Sequence, residues 1–354
     1  MDFSIASILA LDGLTNGAVY ALLALATVLL FAVTRVIFIP QGEFVAFGAL
    51  TLALFIAPKL PDTPWYKQVP GTVWFLLALA VLAALGDLVN GIRQRRSGKR
   101  IAKAVTKTLA LPVVLALVSF WAAPRGLPVA FYAALTLALV TPFGNLIYRL
   151  AYESLADASV LVLLIVSVGV HFALVGLGLF FFGAEGFRNP SFWEQRFNLG
   201  ALSLTGQTLI IFLASIALIV LLYLFFERTL TGKALRATAV NRTGARLQGI
   251  SSNGAGRLAF TMAAFIGALS GLLIGPTTTI FYDSGFIIGL KGFVAAVFAG
   301  LSSYPLALVG ALGVGLLESF GSFWASSFKE VIVFGSILPV LLWRSLRDPH
   351  VEEH

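Results

Sequence analysis

The sequence predicts an all-α polytopic membrane protein with about eleven transmembrane or half-membrane helices. Two observations predict this class. Hydrophobic residues make up 59% of the 354 residues and charged residues 11%, whereas soluble domains average about a half and a quarter. The mean hydropathy is +0.95, so the apolar surface exceeds what a soluble core of this size can bury. The expected solvent of this chain is therefore lipid.

Apolar runs long enough to cross a hydrocarbon layer of about 30 Å, which takes roughly 17–25 helical residues, recur along the chain. The clearest cover residues 14–33, 73–88, 108–123, 128–148, 159–182, 206–226 and 258–275. Shorter or glycine-broken runs cover 43–58, 290–301, 305–323 and 331–343. We expect these to be tilted, short or half-spanning helices. Residues 300–315, with Ser302 and Pro305 among glycines, predict a broken or tightly turned helix pair.

The basic residues predict the orientation of the chain. If the amino terminus is outside, about seventeen of the 24 Lys and Arg residues fall in cytoplasmic segments. Those segments are the turn at Arg35, residues 92–107, 148–158 and 227–257, and the tail from Arg344. Because cytoplasmic loops are enriched in Lys and Arg, we expect the carboxyl terminus inside. We interpret the basic cytoplasmic loop 92–107 as a topology determinant against anionic lipid headgroups, not as a nucleic-acid site.

Ionisable residues inside apolar runs are candidates for function, because such groups usually face a bundle interior or an aqueous path. Glu43 opens one such run, Asp87 lies near the cytoplasmic end of another, and Lys291 and Glu318 interrupt two more. Glu318 is the deepest, and it either lines a translocation path or holds helices together by a hydrogen bond. Lys291 and Asp87 can instead extend to the membrane surface. His171, which has no acid near it in the sequence, is either an interhelical hydrogen-bonding group or a proton relay.

Two further patterns predict packing and docking. Gly267, Gly271 and Gly275 recur every four positions, which predicts a helix face for close packing. In residues 227–257, alanines favour helix, Leu235 and Leu247 are expected to be apolar anchors, and Gly249 is a plausible helix stop. This segment is either a basic amphipathic hairpin at the membrane surface or a docking element for a soluble partner.

The chain lacks the residues that several kinds of catalytic site require. The chain has no cysteine and three histidines, at 171, 350 and 354, so we expect no metal centre. Gly232 and Lys233 are followed by Ala234, where a phosphate-binding loop needs Ser or Thr. We therefore expect no ATP hydrolysis by this chain alone. A polytopic protein without a catalytic constellation is most simply a transport pathway.

Four stretches resemble permeases of branched-chain amino acid ABC transporters, the Liv type. These are residues 13–25 (GLTNGAVYALLAL), residues 33–44 with VTRVI and QGEF, residues 231–237 with 247–250, and residues 289–301 with 310–318. The resemblance implies one permease domain over residues 1–354, of the type II ABC importer class. It further implies a second homologous permease, two ATP-binding subunits and an external solute-binding protein as partners, in a bacterial inner membrane.

The resemblance also implies roles for individual residues. The translocation path would include Asn16, Gln41, Glu43, Lys291 and Glu318. The loop coupled to the ATPase, within 227–257, would include Gly232, Lys233, Arg236, Ala237, Arg246, Leu247, Gly249 and Ile250. ATP and Mg²⁺ would bind to the partner ATPase, and this chain would hold no cofactor. Three features depart from the family pattern: Gln41 where histidine is usual, Val240-Asn241 where acids are common, and an insertion at about 90–127.

Three functions are compatible with these observations. We predict a permease subunit that carries branched-chain or related small amino acids by ATP-driven alternating access. The first alternative is an ion- or proton-coupled secondary transporter of a small polar solute, in which Glu43, Asp87, His171, Lys291 and Glu318 form the relay. The second is a membrane scaffold or receptor subunit. Relatives that carry urea or short amides leave the substrate open.

Overall fold

The computed structural model describes residues 3–58, 64–199, 202–301 and 303–347. Ser302, His350 and His354, which the sequence analysis named, lie outside these ranges. The helices in chain order are α1 Phe3–Thr34, α2 Glu43–Ile56, α3 Gly71–Arg93, α4 Gly98–Ala122, α5 Val129–Ile147, α6 Val160–Phe182, α7 Gly206–Arg228, α8 Leu230–Val240, α9 Arg242–Leu247, α10 Ser252–Ile274, α11 Ser284–Phe298, α12 Tyr304–Trp324, α13 Lys329–Gly335 and α14 Ile337–Arg347. Strands β1 Arg196–Leu199 and β2 Leu202–Thr205 pair antiparallel between α6 and α7.

Long apolar helices dominate the structure. Within the described residues, nine helices are long and apolar enough to cross a membrane. They cover Ser4–Thr34, Ile39–Ile56, Gly71–Arg93, Gly98–Arg125, Val129–Leu155, Val160–Phe182, Gly206–Arg228, Ser252–Ile274 and Tyr304–Trp324. Helix α11 is apolar but has 15 residues, and α13 and α14 have 7 and 11. The prediction of a helical, polytopic membrane protein is confirmed, although the described residues are nearly all helical rather than all-α, because β1 and β2 form a short hairpin.

Two segments differ from their expected form. The basic segment 92–107 is mostly helical rather than an extended loop, because α3 continues to Arg93 and α4 begins at Gly98. Residues 99–107 contain neither Gly nor Pro, and Lys and Arg are good helix formers whose long side chains reach water from a helix surface. The run 331–343 is likewise divided between α13 and α14.

Helix α1 is central to the bundle and packs against α7, α10, α11 and α12. Its contact with α12 is backbone to backbone. A methyl group at Gly315 would lie 2.2 Å from the carbonyl oxygen of Gly13, a distance at which no side chain fits. Helices α6 and α7 instead expose large apolar side chains, such as Phe172 and Leu221, outward. These surfaces suit contact with lipid, where apolar groups carry no hydration cost.

Candidate functional site

A cavity of about 490 Å³ lies between α1, α11, α12 and residues 274–284. We call it the charged cavity. Its lining includes Asp12, Asn16, Lys291 and Glu318. Three of the five path residues that the sequence analysis named, Asn16, Lys291 and Glu318, therefore lie at one site. Gln41 and Glu43 do not line it.

A buried charge network crosses the charged cavity. Lys291 Nζ donates to Glu318 Oε1 at 2.5 Å and to Glu330 Oε1 at 3.2 Å. The hydroxyl of Tyr20 donates to Glu318 Oε2 at 2.5 Å. The side chains of Lys291 and Glu318 are 5% and 12% exposed. Because charges at such depth are stable only when paired and hydrogen-bonded, each member of this network depends on the others.

Glycines bring these side chains together. Gly292, next to Lys291, packs on Leu23 of α1, where a methyl group would lie 2.5 Å from the Leu23 Cβ. Gly315 packs on Gly13 and Gly17 of α1, one turn before Glu318 on α12. Both neighbouring helices therefore approach α1 closely enough for short polar contacts. Neither Tyr20 nor Glu330 was predicted from the sequence, because neither residue has its partner in the local sequence.

A second cavity, of about 640 Å³, adjoins the first and shares Asp12, Asn16 and Thr277 with it. Its other wall includes Arg188 and Glu194 from the connection between α6 and α7. Ser319 Oγ donates to the Leu9 carbonyl at 2.8 Å and lies 3.4 Å from Asp12 Oδ2. The α1 residues around Asp12 thus present a polar face to both cavities.

Gln41 and Glu43 lie in a different part of the bundle. Gln41 Nε2 donates to the Ala263 carbonyl at 3.0 Å, and Gln41 lines a separate, largely apolar cavity of about 310 Å³. Glu43 is fully buried, and its Oε1 lies 3.0 Å from Nδ1 of His171 on α6. The two side chains are in close contact, without the alignment of a hydrogen bond. The acid that the sequence did not show beside His171 is therefore Glu43, which is 128 positions away in the chain.

Asp87 contacts two polar side chains from other parts of the bundle. Arg149 Nη2 lies 2.6 Å from Asp87 Oδ1, and Thr108 Oγ1 donates to Asp87 Oδ2 at 2.7 Å. The carboxylate thus joins α3 to α4 and to the helical turn Tyr148–Tyr152 that follows α5. Among the described residues, no group of three or more His, Asp or Glu side chains is placed to hold a metal ion.

The predicted packing glycines contact two different partners. A methyl group at Gly271 of α10 would lie 2.1 Å from the Val45 carbonyl oxygen of α2, and one at Gly267 would lie 2.7 Å from the Cβ of Phe44. Gly275 follows the last residue of α10 and faces the side chain of Asn189 instead.

Residues 227–257, which we call the surface segment, form α8, α9 and the start of α10. Each of these helices begins at a polar side chain that accepts from a backbone N–H. Thr229 Oγ1 accepts from Gly232, Asn241 Oδ1 accepts from Gly244 and Ser251 Oγ accepts from Gly254. Asn241, a departure from the family pattern, therefore fills the capping role that Asp also fills. Gly249, at φ +79°, makes the turn after α9.

Three arginines fix the surface segment to residues 153–157. Arg246 Nη2 donates to Asp157 Oδ1 at 2.7 Å, Arg242 donates to the Ala156 carbonyl at 2.8 Å, and Arg257 binds both oxygens of Glu153 at 2.6 and 3.0 Å. The hydrogen bond from Arg246 lowers the pKa of the Asp157 carboxyl below its ordinary value. Sequence patterns pointed to neither acid, because both lie about 90–100 positions from their partners.

The outer face of the surface segment combines cations with exposed apolar side chains. Lys233, Arg236 and Ala237 are exposed. Leu235 is buried as expected, but Leu247 is 82% exposed, so its prediction as an apolar anchor is wrong. Helix α9 has only six residues, and its buried face is occupied by Ala245 while Leu247 lies on the other side. The remaining expected docking residues are Gly232, which is buried, Arg246 and Gly249, which are exposed, and Ile250, which is half-buried.

Comparison with known proteins gives one family and several relatives. Residues 9–342 match the family described as branched-chain amino acid transport system / permease component. The chain is 30% identical to the high-affinity branched-chain amino acid transport system permease protein BraD of Pseudomonas aeruginosa over 250 residues, 68% of this chain and 81% of that protein. It is 24% identical to the corresponding protein LivH of Salmonella typhimurium over 343 residues, 94% of this chain and 91% of that protein. PsaBC from Streptococcus pneumoniae in complex with Fab aligns with 93% of this chain and 89% of its own, at 12% identity and a TM-score of 0.36.

Proposed function

Because this chain belongs to the family of branched-chain amino acid transport system permease components, we propose that it forms the transmembrane pathway of a binding-protein-dependent ABC importer. Its substrates are branched-chain or related small amino acids. The observation that carries this proposal is the charged cavity, where Asn16 and Glu318, on helices of membrane-spanning length, come together with Lys291 of the shorter α11. Polar cavities between such helices are where transporters commonly bind solutes.

Gln41 and Glu43 are proposed to act at a second level of the same pathway. The apolar cavity at Gln41 has the character of a passage for an aliphatic side chain, since its lining is almost free of polar groups. The fully buried Glu43 would hold the start of α2 against α6 through His171. Gly267, Gly271 and Gly275 would keep α10 in register with these elements.

The surface segment is proposed as the docking site of a separate ATP-binding subunit, to which ATP and Mg²⁺ bind. Its arginine contacts to residues 153–157 support this role, because a lever must be joined firmly to the bundle that it moves. The exposed residues Ala237, Leu247 and Gly249 would meet the partner, with Lys233 and Arg236 at the edge of this contact next to α7, while Gly232, Arg246 and Ile250 would hold the docking surface in shape.

The finer architecture is part of the same proposal. We propose one permease domain of the type II importer class, with about eleven membrane elements if α11 and the α13–α14 pair are added to the longer helices. The basic residues of the surface segment and of 92–107 favour an external amino terminus and a cytoplasmic carboxyl terminus. The assembly would contain a second homologous permease, two ATP-binding subunits and an external binding protein, in a bacterial inner membrane.

The buried Glu43–His171 contact supports the alternative, a proton-coupled secondary transporter. Reconstitution in liposomes distinguishes the two. With the cognate ATPase and binding protein, we expect uptake of labelled leucine that requires ATP and Mg²⁺ and ceases when the ATPase cannot hydrolyse ATP. Accumulation by the permease alone, driven by a proton or sodium gradient, would refute the ABC proposal and favour the alternative.

A further inference from the structure

An apolar groove lies between α1, α7 and α12. Its volume is about 550 Å³, and its walls include Leu29, Leu222 and Leu308. The side chains of Glu227 and Arg236, which form an ion pair, lie at one end of it. The groove therefore has a long apolar wall and a charged mouth. An amphiphilic ligand has the matching parts, an apolar chain and a charged head.

The mouth lies at a membrane–water boundary. Helices α1, α7 and α12 are long and apolar enough to cross a membrane, and the mouth is where α7 ends and α12 begins. Tyr223 and Tyr304 lie beside it, and the Tyr304 ring is 6.0 Å from that of Phe226. Tyrosine is enriched at the level of the lipid headgroups, because its ring is apolar and its hydroxyl is polar.

The charge at the mouth is positive. Glu227 is the only acid between positions 206 and 257, whereas this stretch carries six Lys and Arg residues. Three of these bind residues 153–157, as described above, which leaves Arg228, Lys233 and Arg236 near the mouth. Arg228 and Lys233 are exposed and make no ion pair within the described part of the chain. A ligand with a negative group would therefore be favoured over a neutral one.

We propose that this groove binds one acyl chain of an anionic phospholipid, with the lipid phosphate at Arg236 and the neighbouring cations Arg228 and Lys233. The apolar walls accept the chain, and the guanidinium of Arg236 has donors to spare for phosphate beyond its pairing with Glu227. This site is independent of the transported solute. Since Arg236 lies on α8, the bound lipid would also join the surface segment to the membrane surface.

The test is native mass spectrometry of the purified full-length chain titrated with phosphatidylglycerol or phosphatidylcholine. Leu222→Trp fills the groove, whereas Leu221→Trp is the matched control, since Leu221 is 61% exposed and does not line it. We expect Leu222→Trp to raise the Kd for the tightest phosphatidylglycerol at least about tenfold and Leu221→Trp to leave it unchanged. Arg236→Gln should reduce the preference for phosphatidylglycerol over phosphatidylcholine without abolishing either.

Several outcomes would overturn the proposal. The first is that the two tryptophan variants bind phosphatidylglycerol with equal affinity, and the second is that the chain shows no preference between the two lipids. The third is that inorganic phosphate competes fully with the lipid. The fourth is that Leu222→Trp loses a permease dimer while its lipid binding is unchanged. If Leu222→Trp does not fold, the wild-type chain is photolabelled with phosphatidylglycerol that carries a diazirine in its acyl chain. Adducts concentrated on α7 and α12 support the groove, and adducts spread evenly over the outward helices refute it.

Discussion

The charged cavity and the surface segment both depend on ion pairs between remote parts of the chain, but the pairs differ in how much of their side chains is exposed. In the cavity, the side chains of Lys291 and Glu318 are 5% and 12% exposed. At the surface, those of Arg246 and Asp157 are 44% and 75% exposed. Removing one partner of a buried pair leaves an uncompensated charge, whereas water compensates an exposed one. Ion pairs of similar length therefore have very different importance for stability.

The two regions also differ in what shapes them. The cavity results from helices that touch through glycine backbones, so its geometry depends on long-range packing. The surface segment results from capped short helices, in which each cap and its partner are three residues apart. Local sequence therefore determines the second region much more than the first. Four substitutions test this contrast, in order of expected effect.

The largest loss of stability is expected from Lys291→Ala. It leaves Glu318 buried without a cation, and such a loss costs about 3–5 kcal/mol. Unfolding monitored in mixed micelles measures it. Lys329→Ala is the control, since the Lys329 side chain is 42% exposed and lies 3.9 Å from Glu330. The double variant Lys291→Met with Glu318→Gln should recover part of the loss. A Lys291→Ala protein as stable as the control variant would show that water already reaches this pair.

A smaller loss of stability is expected from Gly315→Ala, because the added methyl group would meet the Gly13 carbonyl oxygen at 2.2 Å and force α1 and α12 apart. Overpacking of this kind costs about 1–3 kcal/mol. Gly313→Ala on the same helix is the matched control, since nothing lies within 4 Å of that position. The midpoint of thermal unfolding should fall in the first variant and hold or rise slightly in the second. Equal midpoints would mean that α12 can shift without cost.

Asn241→Ala removes the side-chain cap of α9, whose Oδ1 accepts from the Gly244 N–H at 2.8 Å. Loss of such a cap costs about 1 kcal/mol, and Asn241→Asp should cost almost nothing, because Asp caps equally well. Hydrogen exchange of the amides of residues 242–247 gives the local readout. Faster exchange confined to this helix in the Ala variant is expected. Unchanged exchange would show that the arginine contacts alone hold α9.

The smallest effect is expected from Arg246→Ala, which removes an exposed pair. Since Arg246 lowers the pKa of Asp157 below its ordinary value of 3.8, the pair stabilises the fold above that pH and loses its contribution as the pH falls below it. Unfolding midpoints of wild type and variant should therefore differ slightly at neutral pH and converge in acid or high salt. A large difference that persists in both conditions would contradict the contrast between the two regions.

Parts of the candidate site were predictable and others were not. Lys291 and Glu318 were identified because a charge inside an apolar run is itself a signal. Tyr20 and Glu330 were not, because their partners are remote: Tyr20 lies 298 positions from Glu318, and Glu330 lies 39 positions from Lys291. Leu247 was wrongly predicted to be an anchor, because apolar character alone does not tell which face of a short helix is buried.

The sequence by itself determined that the chain is suited to lipid, that it is mainly helical and which family it belongs to, since these depend on composition, on run length and on short motifs in order. It also determined the caps of the surface segment, because a cap and its partner are three residues apart. Only the tertiary structure decided that Asn16, Lys291 and Glu318 share a cavity, that Glu43 contacts His171, and that Asp157 binds Arg246. These contacts join residues far apart in the chain. Their formation depends on how closely the helices between them pack, which is a property of the whole bundle and not of any local stretch.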